Sequence, residues 1–231
     1  MYPRAGAYFD FECFLLKNGA LYFITQQKKS FFSEIFNVVR LMDEKQTKYA
    51  PALMCIQPND NWQWHYDAQD DRLMLDLSDR MIFATEYKGR QLVPSSFTTQ
   101  PFCVDDAALY YQLMDKAAEL DWSVPHQVQL VLNAIAVSRF YKPLMPQSWF
   151  FHEQQTHFIP DMGSLVWMET PHGRGEFMVI EAGEQASVCL NLTEELVLTA
   201  SKILPRFAVI KVMNNRMQTR TRAQAQYRQV S

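Results

Sequence analysis

The residues in this chain best placed to do chemistry are two adjacent carboxylates, Asp105 and Asp106, in the stretch PFCVDDAALYYQLMDK (101–116). Paired carboxylates work in acid–base catalysis when one acid and one base face a substrate across a gap. Neighbouring side chains at the start of a helix diverge and do not make that gap. They suit another task. A helix start leaves four N–H groups without partners, and a carboxylate there accepts one while facing the positive end of the helix dipole. The pair therefore reads as a helix cap. A hydrolase reading stays open on one condition, a histidine brought beside Asp105 and Asp106 in an open cleft.

The other chemical residues do not cluster. His65, His126, His152, His157 and His172 are spread along the chain. His152 and His157 fall on either side of an expected turn, with no acid or thiol in register, whereas zinc sites hold their ligands in tighter groups. No metal and no cofactor is expected. Cys13, Cys55, Cys103 and Cys189 form no CxxC pair, and read as small buried thiols of a reduced, cytoplasmic protein. Nucleophile-elbow, HExxH and phosphate-loop patterns are absent. PHGRGE (171–176) reads as a hairpin turn.

Composition bounds the class. The chain has 231 residues, of which 48% are hydrophobic, enough for a packed core and against wholesale disorder. No window matches the 18 or so apolar residues of a membrane span; CFLLKNGALYFI (13–24) is interrupted by Lys17, Asn18 and Gly19. The net charge of −3 is unevenly spread. Residues 216–231 carry Arg216, Arg220, Arg222 and Arg228 and no acid. Such a tail can touch nucleic acid or an acidic partner, and the plainest expectation is a disordered, solvated terminus from 218 to 231.

Residues 1–53 differ from the rest, being richer in Phe, Tyr, Ile, Asn, Lys and Met. Met54 then stands before a cleaner pattern, so 1–53 reads as an extension outside the native protein. The alternative is an extra element with an amphipathic helix at 30–45, through Phe32, Ile35, Phe36 and Val39. From Met54, NWQWHYD (61–67), RLMLDL (72–77) and MIFATEY (81–87) are short strands joined by polar turns, an antiparallel meander. Residues 88–101 read as a loop. Two helices follow, at about 105–120 and 125–141, the second starting at Pro125 and apolar nearly all round, hence deeply placed. Lys142 to Pro146 end it.

After Pro146, short strands are expected at 148–153, 156–160, 164–169, 176–183, 186–192, 195–199 and 205–214. The fold class is thus α+β: an α/β domain at 54–147, then a small twisted β-barrel-like domain at 148–217. Trp62 and Trp64 share a strand face; Tyr110 and Tyr111 lie on the first helix; Trp149 and Phe151 share a face of the first barrel strand. Most of these rings are core, but an apolar pocket between meander and first helix is a natural peptide groove.

Several blocks together carry a resemblance: IQPNDNWQWHYD (56–67), DRLMLDLSDRMIF (71–83), FCVDDAALYY (102–111), LVLNAIAVSRFYKPLMPQSWFF (130–151), VIEAGEQASVCL (179–190) and IKVMNNRM (210–217). In this order they resemble the cell-division protein ZapC family, from about Met54 to Met217. The resemblance implies a non-enzymatic, cytoplasmic partner of FtsZ, the bacterial tubulin-like GTPase, at the mid-cell Z-ring. It implies lateral bundling of FtsZ filaments, slower GTP turnover and contact with the FtsZ C-terminal tail through an apolar pocket and nearby basic residues. On this basis Leu75 lines or supports the pocket, with Trp62, Phe83 and Tyr110 as walls. Lys142 meets tail carboxylates, assisted by Arg139. Gln147 stands where relatives carry lysine, which weakens the basic patch here. A monomer is expected. Two rivals remain: the hydrolase of Asp105 and Asp106, and a nucleic-acid binder acting through the Arg-rich end.

Overall fold

The computed structural model describes residues 56–77, 81–155 and 158–220, and the backbone of two N-terminal strands. Those strands, β1 (Cys13–Lys17) and β2 (Ala20–Ile24), pair antiparallel. The amphipathic helix expected at 30–45 lies outside the described residues.

The meander forms as β3 (Gln63–Asp67), β4 (Arg72–Asp76) and β5 (Ile82–Ala84). Asp67 Oδ1 accepts the N–H groups of Gln69 and Asp70, which closes the β3–β4 turn locally. A fourth strand, β6 (Gln100–Pro101), lies in what reads as loop and pairs with Gln63 and Trp64. The sheet order is β5-β4-β3-β6, all antiparallel. The rest of that loop contains two 3-10 turns, Gly89–Gln91 and Pro94–Phe97.

Helices α1 (Val104–Ala117) and α2 (Val124–Phe140) follow. In α2 every residue from Val128 to Val137 is buried. The reason is its position between two sheets. Its apolar surface packs in one continuous cluster with Leu73, Leu75 and Phe83 of the meander and with Leu165, Met178, Ile180 and Leu190 of the C-terminal half. The Tyr87 hydroxyl donates to the Phe207 carbonyl at 3.1 Å across the same contact, and burial pushes the Tyr87 phenol well above its ordinary range.

The C-terminal half contains β7 (Leu165–Thr170), β8 (Gly173–Glu181), β9 (Ala186–Asn191), β10 (Glu195–Thr199), β11 (Lys202–Pro205), β12 (Val209–Met213) and β13 (Gln218–Thr219). Five of them make one antiparallel sheet, β12-β9-β8-β7-β13, and β10 and β11 form a separate hairpin. Leu196, Leu198 and Leu204 of the hairpin pack with Val166, Phe177, Val179 and Ile210 of the large sheet. The large sheet is therefore covered on both faces, by α2 and by the hairpin. The sheets do not close, so barrel-like describes this half loosely. Asn191 fixes the hairpin base: its buried amide donates to the carbonyls of Thr193, Leu204 and Pro205.

Three expectations are corrected. Residues 148–153 are not a strand; Ser148–Phe150 is a 3-10 turn, with Phe151 N–H donating to Ser148 O. Its polar groups are used elsewhere: Gln147 N–H donates to Lys211 O, and Met213 N–H donates to Ser148 Oγ. The segment caps the outer edge of β12, where an open strand would invite pairing. Alternation of large residues imitated a strand, yet Phe151 is buried and Trp149 is exposed. Residues 158–160 also carry no strand, and 156–157 lie outside the described residues. The strand expected at 205–214 is shorter: it is β12, from Val209 to Met213, while Pro205 ends β11 and a turn in which Phe207 has φ 61° separates the two.

Past Met217 the chain stays paired: Gln218 and Thr219 sit opposite Trp167 and Val166. Of the Arg-rich stretch, Arg216 contacts Glu153 at 3.3 Å and Arg220 contacts Glu176 at 2.8 Å. Arg222 and Arg228 lie outside the described residues.

Candidate functional site

Asp106 is a structural hub. It is buried, and its Oδ2 accepts the Cys103 N–H at 3.1 Å, the reciprocal half of a cap on α1. The same oxygen receives the Trp64 indole N–H from β3 at 3.3 Å and pairs with the Arg139 guanidinium from the end of α2. Asp105, by contrast, is exposed. Among the described residues no histidine contacts either aspartate. His65 lies on β3, His126 meets Ser123 Oγ, and His152 and His172 are exposed; His157 lies outside the described residues. Asp106 thus holds β3, α1 and α2 together.

Arg139 completes this joint. Its other contacts are the Pro101 carbonyl at 3.0 Å and Gln100 Oε1 at 3.0 Å, both on β6, and the Cys103 thiol at 3.7 Å. Arg139 is held as a clamp. Cys103 is half-buried at this joint rather than buried, while Cys189 is enclosed in the large sheet and burial pushes its thiol up.

Leu75, Trp62, Phe83 and Tyr110, expected to line an apolar pocket, all belong to the buried core cluster, each at most 1% exposed. Trp62 packs edge-on against Phe102 and Tyr110. The Tyr110 hydroxyl donates to the Ile56 carbonyl at 2.5 Å. Tyr111, edge-on to Tyr110, is half exposed.

Lys142 faces solvent, and its ammonium donates to the Arg90 carbonyl at 2.8 Å. Its backbone N–H donates to Gln91 O, so the chain just past α2 is stitched to the 3-10 turn at Gly89. That turn presents two more exposed cations, Lys88 and Arg90. Among the described residues none of these three has a carboxylate within ion-pair distance. Lys88 and Arg90 lie in what reads as a loop. Their signal is the glycine between them. A Cβ at Gly89 would stand 2.6 Å from the Tyr66 hydroxyl, so the turn docks closely and its two cations face outward.

The docking partner is Asp71, which accepts the Tyr66 O–H at 2.5 Å and the Gly89 N–H at 2.9 Å. The Tyr66 hydroxyl first, then Gly89, hold the Asp71 carboxyl below its ordinary value of 3.8; Lys88 and Arg90 add to this. Because the folded-state pKa is depressed, this contribution to stability is present above the unfolded value and is lost as pH falls through the folded one. Asp71→Asn is expected to flatten the acid limb of a melting-temperature profile below about pH 4. An unchanged acid limb would show that Asp71 contributes nothing there.

The family described as cell-division protein ZapC matches in two parts, its N-terminal portion over residues 55–142 and its C-terminal portion over 143–223. The chain belongs to the ZapC cell-division family. It is 85% identical over 178 residues to the cell division protein ZapC of Aeromonas hydrophila, covering 77% of this chain and 100% of that protein. The ZapC of Photobacterium profundum is 39% identical over 163 residues, 70% of this chain and 91% of the relative. The ZapC of Vibrio cholerae is 37% identical over the same length, with the same coverage. Family membership gives a role in cell division, and no helix among the described residues is long and apolar enough to cross a membrane.

Proposed function

We propose that the protein is a non-enzymatic, cytoplasmic partner of FtsZ that acts at the mid-cell ring. It binds the FtsZ C-terminal tail, favours lateral bundling of filaments and lowers GTP turnover. The observation that carries this reading is the outward-facing set of Lys88, Arg90 and Lys142, with no carboxylate within ion-pair distance among the described residues, on a ZapC-family protein. Such cations attract a carboxylate-bearing tail over long range and add modest energy at contact. Leu75, Trp62, Phe83 and Tyr110 support this surface from within the core, and Arg139 fixes the helix end from which Lys142 projects. One weak site cannot bundle filaments, but many weak contacts along a polymer add through effective concentration. The protein works as a monomer with two surfaces.

Lys142→Glu tests the basic surface. Reversing one exposed charge is expected to weaken binding to FtsZ filaments about three- to tenfold, with a smaller effect at high salt. Sedimentation at two salt concentrations measures this. Undiminished binding by the folded variant removes Lys142 from the site.

The nucleic-acid reading gains nothing from Arg216 and Arg220, whose guanidinium groups are taken up by Glu153 and Glu176.

A further inference from the structure

The connector between the two halves leaves the largest exposed ring of the described residues. Trp149 is 73% exposed and Met145, four positions earlier, is 81% exposed. A tryptophan held in water at this level is uncommon, and tryptophan is the residue most enriched among dominant binding contacts.

Trp149 is not a loose side chain on a loose loop. The connector is clamped before it, by Gln147 N–H to Lys211 O at 2.8 Å and by Met213 N–H to Ser148 Oγ at 2.8 Å, and after it by His152 N–H to Glu169 O at 2.8 Å. Phe150 lies beside it, with ring centroids 5.4 Å apart. The Lys202 ammonium, from β11, sits 4.4 Å from the Phe150 ring centroid and donates to Gln147 Oε1 at 2.9 Å. Lys202 is exposed and, among the described residues, has no carboxylate within ion-pair distance. An ordered aromatic step with an unneutralised cation at its edge therefore stands at one end of the connector. At the other end stand Lys142 and Arg90.

We propose that Trp149, with Met145 and Lys202, is the apolar anchor point for an extended acidic peptide whose carboxylates also meet Lys142. This rests on the reading of the protein as a binder of the FtsZ tail, and it locates the tail's apolar contact on the connector. Charge complementarity selects the occupant: the cations at both ends of the apolar step, Lys142 and Lys202, lack acids of their own. Length agrees as well. The seven steps along the chain from Lys142 to Trp149 span at most about 24 Å, a distance that an extended peptide of about eight residues covers.

The test uses the full chain and a synthetic peptide of the FtsZ C-terminal tail, with binding followed by fluorescence anisotropy. Trp149→Ala is expected to weaken peptide binding at least tenfold, Trp149→Phe less than threefold, and Lys202→Glu about threefold or more. The melting temperature checks that each variant is folded, which is expected because the replaced groups are exposed. Peptide binding by wild type that Trp149→Ala leaves unchanged overturns this anchor and leaves the FtsZ reading standing. Failure of wild type to bind either the peptide or intact filaments overturns both. Concentration-dependent self-association of wild type that Trp149→Ala abolishes, with peptide binding intact, assigns the ring to a second copy of the chain and also overturns the proposal.

Discussion

Asp106→Ala is expected to lower the free energy of unfolding by roughly 3–5 kcal/mol, the usual cost of removing one partner of a buried ion pair. Three donors converge on a single buried oxygen: the Trp64 indole, the Cys103 N–H and the Arg139 guanidinium. Deleting the carboxylate strands a charge and two N–H groups where water reaches poorly, and each stranded group adds its own desolvation cost. Asp105→Ala is the control. Its side chain is exposed at the same helix start, so it loses only the dipole interaction, at most about 1 kcal/mol. Urea unfolding of the two variants measures the difference. Equal effects at the two aspartates would contradict the assignment of Asp106 as the joint of β3, α1 and α2.

Leu75→Ala is expected to cost roughly 2–5 kcal/mol, the range for emptying a fully buried leucine site. Leu75 is 0% exposed on the central strand β4, within the cluster that α2 closes from above. β4 pairs on both sides, with β3 and β5, so its surroundings have little freedom to collapse into the space left behind. Under the proposed function, FtsZ binding by Leu75→Ala is expected to fall in step with the folded fraction, since the residue is fully buried. The midpoint of denaturation and sedimentation at low temperature together check this. A variant as stable as wild type would contradict the packing described.

The sequence made the helix cap legible because the rule behind it is local. Acids at a helix start answer unpaired N–H groups a few residues away. The other partners of Asp106 could not be read, since Trp64 and Arg139 arrive from distant elements. The all-round apolar pattern of 125–141 was legible for a similar reason: burial on every side needs no knowledge of what does the burying. What lay hidden was that α2 joins two sheets into one core. At 148–153 alternation misled, because period 2 reports which side chains are large and not where the backbone hydrogen bonds go. Pro143 and Pro146 break the pattern just upstream, and Gln147 and Ser148 then bond to β12. The basic surface was half legible. Lys142 was reached through the family resemblance, whereas Lys88 and Arg90 join it only because Gly89 lets their turn dock on Tyr66 and Asp71.

Co-sedimentation with polymerised FtsZ, with and without its C-terminal tail, while GTP turnover is followed, tests the central claim most directly. The protein is expected to pellet with intact filaments, to pellet far less with tail-less ones, and to slow turnover on the intact polymer. No pelleting with intact filaments, together with unchanged GTP turnover, would contradict the account.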